Sequence, residues 1–325
     1  MFELIRPGTQ IDFVGKRKLW MGLSILAILV TSVLLFVKGL NYGIDFTGGA
    51  EVQVRTPASW DIGKLRTEME GAGLKNLKVQ QIGESGLHQF LLKTQGDENS
   101  LNQTSQVVES AFLKTLQKGE FEIQRVDVVG PAAGSSLRMS GFLSMVYALF
   151  CILFWVTFRF DSRYSPGAIL ALFHDTMITL GVFIVTQKQF DLQILAALLA
   201  LIGYSNNDTI IVFDRVRETA EAHPNLSIEQ AVNRAINETL GRTILTSLCT
   251  FLTVFALWVF GGKVIEDFAF TLMVGIVVGT YSSIFIASSF VILVTRYRQR
   301  RDSREKTSGD DRSGWMKDLV GALVD

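Results

Sequence analysis

Residues 192–213 have the sequence LQILAALLALIGYSNNDTIIVF, an apolar run that is interrupted by the polar stretch 205–208 and then resumes. A run of this length can cross about 30 Å of hydrocarbon as a helix. It therefore predicts a transmembrane helix with an ionisable carboxyl, Asp208, at membrane depth. Such a group costs roughly 3 kcal/mol near the centre of a membrane helix, so it normally faces a bundle interior, water or a partner. Asp208 is accordingly the leading functional-site hypothesis.

Five further apolar runs of similar length predict a polytopic α-helical membrane protein with six transmembrane helices. They cover residues 19–37, 141–158, 166–186, 243–260 and 268–294. The first follows Lys16-Arg17-Lys18, as in a signal peptide, but it is too long for the apolar core of one and lacks a small-x-small cleavage site. We therefore expect it to be retained as a membrane helix.

The basic residues predict the topology. The short segments that carry most of them fall on one face of a six-span arrangement, and the turns 187–191 and 261–267 on the other face have one lysine each. The positive-inside rule then places both termini in the cytoplasm, with residues 1–18 as an N-terminal segment and 296–325 as a basic tail. Because the formal net charge is zero and the basic cluster directly follows a membrane helix, anionic lipid explains it better than nucleic acid.

Residues 38–137 form the one long soluble segment, which the topology places outside the cytoplasm. Its alternating and helical stretches predict the order β-α-β-β-α-β of a ferredoxin-like α+β domain. The stretch Asn41-Tyr42-Gly43-Ile44-Asp45-Phe46-Thr47-Gly48-Gly49 connects this domain to the first span. No Gly-Lys-Ser/Thr follows, so we expect a structural joint, in which glycine provides positive φ or close backbone approach, in preference to a phosphate loop.

The third span contains a second polar spot, His174-Asp175, with Thr179 one turn further along the same face. Two interpretations are balanced: these groups satisfy polar neighbours across a helix interface, or they take part in proton movement. The last span carries Gly275, Gly279 and two more small residues at intervals of four, a pattern typical of close helix packing inside a bundle.

The approach to the fifth span contains a capping-box pattern, Ser227-Ile228-Glu229-Gln230, which predicts a short amphipathic helix over residues 227–240 along the cytoplasmic interface. Arg242 follows at the entrance of the span, near the helical face of Thr246, Thr250 and Thr253. Its guanidinium can snorkel to the interface or point inward as a counter-charge to a carboxylate such as Asp208. Spacing alone favours snorkelling.

Several classes of chemistry lack support in the sequence. Cys151 and Cys249 both fall in predicted spans, so no disulfide framework is implied, and nothing indicates a metal or other cofactor. The soluble segment has no catalytic constellation, which favours a binding module over an enzyme. An intramembrane aspartyl protease would pair Asp175 with Asp208, but neither lies in a Gly-x-Gly-Asp motif.

In combination, six segments resemble the SecF family of bacterial protein translocase subunits, within the resistance-nodulation-division superfamily. The segments are NYGIDFTGG at 41–49, VGP at 129–131, HD at 174–175, GYSNNDT at 203–209, FDRVRE at 213–218 and RT at 242–243. Within these segments, the resemblance implies a structural role for six motif residues: Asp45, Gly48, Gly49, Gly203, Asp214 and Arg215.

The resemblance implies an accessory subunit of the cytoplasmic (inner) membrane that uses the proton motive force to assist protein export. It implies that the subunit is not itself an ATPase. Implied partners are SecD, the SecYEG channel, the translocating preprotein and, as a further candidate, YajC. The proton relay it implies falls on Asp208 and Arg242, which favours the inward orientation of Arg242, with a further aspartate supplied by SecD. Asp175, His174 and Asn207 are additional candidates for the relay.

One departure from the family pattern is Asn206, where an apolar residue is expected, so the polar patch around Asp208 is broader than usual. Two alternatives to the translocase function stay open at the level of sequence. One is half of a resistance-nodulation-division exporter of small molecules, which ordinarily carries both repeats in one chain. The other is a structural scaffold of the translocon, for which Asp208 would have no proton-dependent role.

Overall fold

The computed structural model describes residues 10–74, 77–82, 86–94, 103–160 and 164–301. Six of its helices are long and apolar enough to cross a membrane, which confirms the predicted number of spans. In chain order the elements are α1 (Arg17–Val37), α2 (Ile44–Thr47), β1 (Gly49–Arg55), α3 (Ile62–Gly71), β2 (Lys78–Ile82), β3 (Gln89–Thr94), α4 (Thr104–Thr115), β4 (Glu122–Val129), α5 (Pro131–Arg159), α6 (Ser165–Thr186), α7 (Leu192–Ala222), α8 (Ile228–Phe260) and α9 (Lys263–Ser282). The last helix continues through a π-helical turn, Ser283–Ala287, to Arg301.

The domain between α1 and α5 is a four-stranded antiparallel sheet with two helices, in the strand order β2-β3-β1-β4. Because β3 lies between β1 and β2, the β1-α3-β2 unit is split, as predicted for a ferredoxin-like domain. Alternation along the strands places one set of side chains against the helices, where the apolar groups are buried. This core includes Val52, Val54, Phe90 and Leu92 from the strands and Leu65, Met69, Val108 and Phe112 from α3 and α4.

The segment before β1 joins this domain to the membrane helices through close backbone contacts. Gly48 has φ of 76°, and a Cβ atom there would lie 2.7 Å from the Cα of Pro131, the first residue of α5. A Cβ on Gly134, one turn into α5, would lie 2.7 Å from the backbone nitrogen of Gly48. Only glycine permits both approaches, so the joint rests directly on the start of α5.

Within the bundle, α6, α7 and α9 are the most buried of the six spans, and α1, α5 and α8 the most exposed. The small residues of α9 face inward, as predicted. A Cβ on Gly275 would lie 2.5 Å from the Leu201 side chain of α7, and one on Gly279 would lie 2.9 Å from the hydroxyl of Ser205. These glycines therefore let α9 pack closely against α7.

The amphipathic segment and the fifth span, which were predicted to be separate, form one continuous helix, α8. It begins with the predicted capping box, in which Ser227 and Gln230 exchange side-chain to backbone hydrogen bonds. Gly241 is the weakest helix former between residues 228 and 260, and it costs only about 1 kcal/mol relative to alanine. The apolar face of the N-terminal half of α8 packs against the C-terminal end of α7; it includes Val232, Ala235, Ile236 and Leu240.

Candidate functional site

Asp208 lies on α7 between α8 and α9, and its side chain is almost completely buried, with 2% exposure. Its Oδ2 accepts a hydrogen bond from the Ser247 hydroxyl of α8 at 3.1 Å. The Ser247 oxygen in turn accepts a hydrogen bond from the Thr280 hydroxyl of α9 at 2.8 Å. The Asp208 carboxyl thus faces the interior of the bundle, where Ser247 of α8 contacts it directly and Thr280 of α9 contacts Ser247.

Arg242 is exposed on the outer side of α8, near enough to attract the Asp208 carboxylate through space. Within the described chain, however, the two side chains do not form an ion pair. Helical geometry explains why, because residues 242 and 247 leave the axis in directions about 140° apart. With Ser247 directed at Asp208, the Arg242 side chain begins on a different face. The expected inward orientation of Arg242 therefore does not bring its side chain into direct contact with Asp208 in this chain.

Asp175 lies on α6 at the centre of a second buried network. Its Oδ2 accepts hydrogen bonds from Ser205 of α7 at 2.5 Å and from Ser282 of α9 at 2.9 Å. Its Oδ1 lies 3.0 Å from Nδ1 of His174, which is also buried. Thr179 bonds to the backbone oxygen of Asp175 instead of its carboxylate. The carboxylate thus connects α6, α7 and α9.

The remaining candidates on α7 lie on its exposed side, in the interior or near its C-terminal end. Asn207 and Gly203 are exposed on the outer side of α7, whereas Asn206 is buried and its Oδ1 has no hydrogen-bond partner among the described residues. Asp214 pairs with Arg217 at 3.1 Å, and Arg215 pairs with Glu238 of α8 at 2.6 Å. The first pair lies within α7 and the second connects α7 with α8; neither extends the buried site.

Two carboxylates also cap the opposite end of α7. Asp45 of the joint accepts a hydrogen bond from the backbone nitrogen of Leu192, and Asp191 accepts one from that of Ile194, both at 3.0 Å. Anionic side chains are favourable at a helix N-terminus. Burial nevertheless raises the pKa of Asp191, and the nearby Asp45 carboxylate contributes to the same increase. Asp45 therefore connects the joint directly to the helix that carries Asp208.

Sequence reasoning missed the hydroxyl groups that contact the two carboxylates. Ser247, Ser205 and Ser282 are all buried, and serine in an apolar helix is ordinarily too common to be diagnostic. The usable signal was proximity along the chain: Ser205 lies three residues before Asp208, and Ser282 directly precedes Ser283 of the small-residue stripe of α9. Among the described residues, no cluster of three or more potential metal ligands was found.

Six spans, buried carboxylates and an external ferredoxin-like domain define the class of protein as a polytopic membrane transport component. Comparison with known families is more specific. The family described as "Protein export membrane protein SecD/SecF, C-terminal" matches residues 108–297, and the "SecD/SecF GG Motif" matches residues 33–56.

Full-length relatives agree with these matches. The chain is 44% identical to the protein translocase subunit SecF of Calditerrivibrio nitroreducens over 92% of this chain and 98% of the relative. It is 39% identical to SecF of Helicobacter pylori strain J99 over 90% of both chains. The chain belongs to the SecF family of protein translocase subunits.

Solved structures show the same architecture. The crystal structure of SecDF, a translocon-associated membrane protein from Thermus thermophilus, superimposes with a TM-score of 0.78 at 34% identity. The match covers 89% of this chain but only 39% of the SecDF chain. SecDF in its super-membrane-facing form gives a TM-score of 0.69, with 95% of this chain covered. The present chain therefore corresponds to about two fifths of SecDF.

Proposed function

We propose that this protein works with SecD as a proton-driven accessory subunit of the Sec translocase and assists the export of preproteins through SecYEG. The SecF relatives and the SecDF structures support the partnership with SecD. The energy source is the proton gradient, without a cofactor and without hydrolytic chemistry in this chain. In this proposal the protein resides in the bacterial inner membrane with both termini in the cytoplasm, and YajC is a further candidate partner.

The observation that carries the proposal is the burial of Asp208 at membrane depth with one hydroxyl donor, Ser247, in the part of the chain that the structure describes. This leaves acceptor positions on the carboxylate where a proton can bind. Arg242 acts on the same carboxylate through space, so protonation changes the attraction between α7 and α8. One proton that crosses 100 mV releases about 2.3 kcal/mol, enough to shift a two-state equilibrium roughly 50-fold.

The outer surface beside Asp208 supports a partner that completes the site. Small residues line the exposed side of α7 and end in a polar amide; they are Ala196, Ala200, Gly203 and Asn207. Small residues allow a second helix to approach closely, and an amide or guanidinium facing lipid is costly. We infer that SecD covers this surface and brings its own aspartate near Asp208 and Arg242.

Asp175 and His174 have a supporting part in this proposal. Their three contacts hold α6, α7 and α9 together, and one of them is made by Ser205, one turn before Asp208 in α7. Movement of α7 reaches the external domain through Asp45 and the joint, which rests on α5. The domain then grips and releases an emerging preprotein as the helices shift.

Substitution Asp208→Asn tests the proposal, measured as preprotein export into inverted membrane vesicles with and without a proton gradient. The expected result is loss of the gradient-stimulated component while SecD still co-purifies with the variant. The matched control Asp127→Asn changes an exposed carboxylate of the external domain and is expected to export normally.

Normal gradient stimulation in Asp208→Asn would contradict the proton-driven function and favour the scaffold alternative. Gradient-driven transport of small molecules that stops in Asp208→Asn, without an export defect, would instead favour the exporter alternative. Recovery of SecD with the variant excludes a trivial loss of assembly.

A further inference from the structure

A row of hydroxyl groups leads from Asp208 across two helices to a backbone carbonyl. The Ser247 hydroxyl donates to Asp208 Oδ2 at 3.1 Å. The Thr280 hydroxyl lies 2.8 Å from the Ser247 oxygen and also 2.8 Å from the carbonyl oxygen of Ile276, one turn earlier in α9. Thr280 has one hydroxyl hydrogen, so it can donate fully to only one of these two acceptors at a time.

We propose that Ser247 and Thr280 are positioning residues through which α9 responds to the charge of Asp208. The inference rests on the proposed function, in which Asp208 exchanges protons. When Asp208 is ionised it can only accept, so the Ser247 hydrogen must point toward it. The Ser247 oxygen is then open to the Thr280 hydrogen, which is drawn away from the Ile276 carbonyl.

Protonation of Asp208 reverses this order. The protonated carboxyl becomes a donor to the Ser247 oxygen, and the Ser247 hydrogen rotates toward Thr280. The Thr280 hydrogen is then directed to the Ile276 carbonyl of its own helix. Hydroxyl hydrogens rotate about their C–O bonds, and no O–H bond breaks between Ser247 and Ile276. One proton gained at Asp208 is thus converted into a new hydrogen bond within α9.

The helix that receives this signal is already irregular next to Thr280. A hydrogen bond from threonine to the carbonyl four residues earlier tends to bend a helix. Immediately beyond lies the π-helical turn Ser283–Ala287, where the Ser288 hydroxyl bonds to the carbonyl five residues earlier. Turns of this kind occur frequently at functional sites. A change in curvature at Thr280 therefore acts where the backbone ladder of α9 changes its spacing.

The same stretch of α9 also contacts the second polar network. Ser282 donates to Asp175, and Ser283 lies 2.9 Å from Thr209. Near Asp208 and the Asp175 network, the charged and titratable groups on neighbouring helices include Arg242 of α8, Asp175 and His174 of α6, and Tyr281 of α9. Bending at Thr280 moves Ser282 relative to Asp175, so α6 receives the signal as well.

The test uses the full-length chain co-expressed with SecD and compares Thr280→Val, Thr280→Ser and Ser247→Ala. Thr280→Val keeps the shape of the side chain but removes the hydroxyl. It is expected to reduce gradient-stimulated export by about tenfold, the scale of one lost hydrogen bond. Thr280→Ser keeps the hydroxyl and is therefore expected to retain gradient-stimulated export. Thr253→Val is the matched control, since that hydroxyl is exposed and donates only to the carbonyl of Cys249.

Infrared difference spectra between acidic and alkaline samples provide the second measurement. The carboxyl band of Asp208 is identified by its loss in Asp208→Asn. We expect this band to persist in Thr280→Val with a shifted frequency, which would show proton binding without its coupling to export. Ser247→Ala shifts the same band further, because the direct partner is lost.

Unchanged export in Thr280→Val overturns the inference while Asp208→Asn still tests the proposed function separately. Equal defects in Thr280→Ser and Thr280→Val also overturn it, because the methyl packing and not the hydroxyl would then be responsible. An Asp208 carboxyl band at unchanged frequency in both Thr280→Val and Ser247→Ala would likewise overturn the inference. If Asp208→Asn exports normally, the proposed function itself fails.

Discussion

Two buried carboxylates on neighbouring helices, Asp175 of α6 and Asp208 of α7, differ chiefly in how many groups contact them. Asp175 interacts with three side chains from three helices, whereas among the described residues Asp208 accepts a hydrogen bond from Ser247 alone. The first arrangement holds helices together, because each donor is fixed by its own helix. The second leaves room for a proton and for the remote charge of Arg242. The proposed division of labour between the two residues follows from this difference.

The carboxylates could be predicted from sequence because a charge within an apolar run is costly and therefore conspicuous. Their hydroxyl partners could not, since contact depends on how neighbouring helices are rotated. The threonines of α8 show this dependence on helix rotation. Thr246 and Thr253 share the exposed side with Arg242 and donate to carbonyls of their own helix, while buried Ser247 faces Asp208.

Gly279 is expected to be indispensable for the network of Asp175. A Cβ there would lie 2.9 Å from the Ser205 hydroxyl and 3.6 Å from Asp175 Oδ2. Gly279→Ala should destabilise the protein by about 1–3 kcal/mol, because the added methyl overpacks a close interface. Gly241→Ala is the matched control, since a Cβ at that helical position meets nothing within 4 Å. Thermal unfolding in detergent measures both, and equal stabilisation of the two variants would contradict the prediction.

The elements follow the sequence pattern closely, except where two segments merge. Six apolar runs became six spans, and the strand and helix order of the external domain was predictable from its periodicity. The amphipathic segment before the fifth span was placed separately because its polarity differs from that of the span. Helix α8 continues without a break because hydrogen bonding along the backbone is indifferent to that change. The contact of the joint with α5 is a tertiary feature that no local pattern could predict.

The close contact between the joint and α5 is expected to depend on Gly48. Gly48→Ala combines a left-handed backbone with a Cβ only 2.7 Å from the Pro131 backbone. Gly39→Ala is the matched control, because its φ of 69° is similar but a Cβ meets nothing within 4 Å. The control should cost about 1–2 kcal/mol from backbone strain alone. Gly48→Ala should cost more and should expose the segment before β1 to limited proteolysis.

Comparable unfolding temperatures and proteolysis rates for the two variants would mean that the contact with α5 does not hold the external domain. A selective effect of Gly48→Ala would instead establish the joint as the connection between the domain and the bundle. Because Asp45 in the same segment bonds to the start of α7, this connection also bears on the proposed transmission from Asp208.

For the whole molecule, the distribution of burial separates a packed interior from an open surface. Helices α6, α7 and α9 form the interior, whereas α1, α5 and α8 are mostly exposed. Most exposed side chains in the spans are apolar and suited to lipid. Asn207 and Arg242, which lie beside the buried Asp208, are exceptions. Polar groups at this position indicate a protein neighbour, and SecD is the partner that the family supplies.

Gly203→Leu tests where that neighbour packs. A Cβ on Gly203 meets nothing within 4 Å, so the single chain can accommodate a larger side chain there. A closely packed partner helix cannot, since overpacking costs about 1–3 kcal/mol, and SecD recovered by co-purification from membranes should fall by about tenfold. Gly22→Leu on the exposed side of α1 is the matched control and should leave recovery unchanged. Equal recovery of SecD with both variants would place its contact surface elsewhere on the bundle, and the proposed approach of a SecD aspartate to Asp208 would then fail.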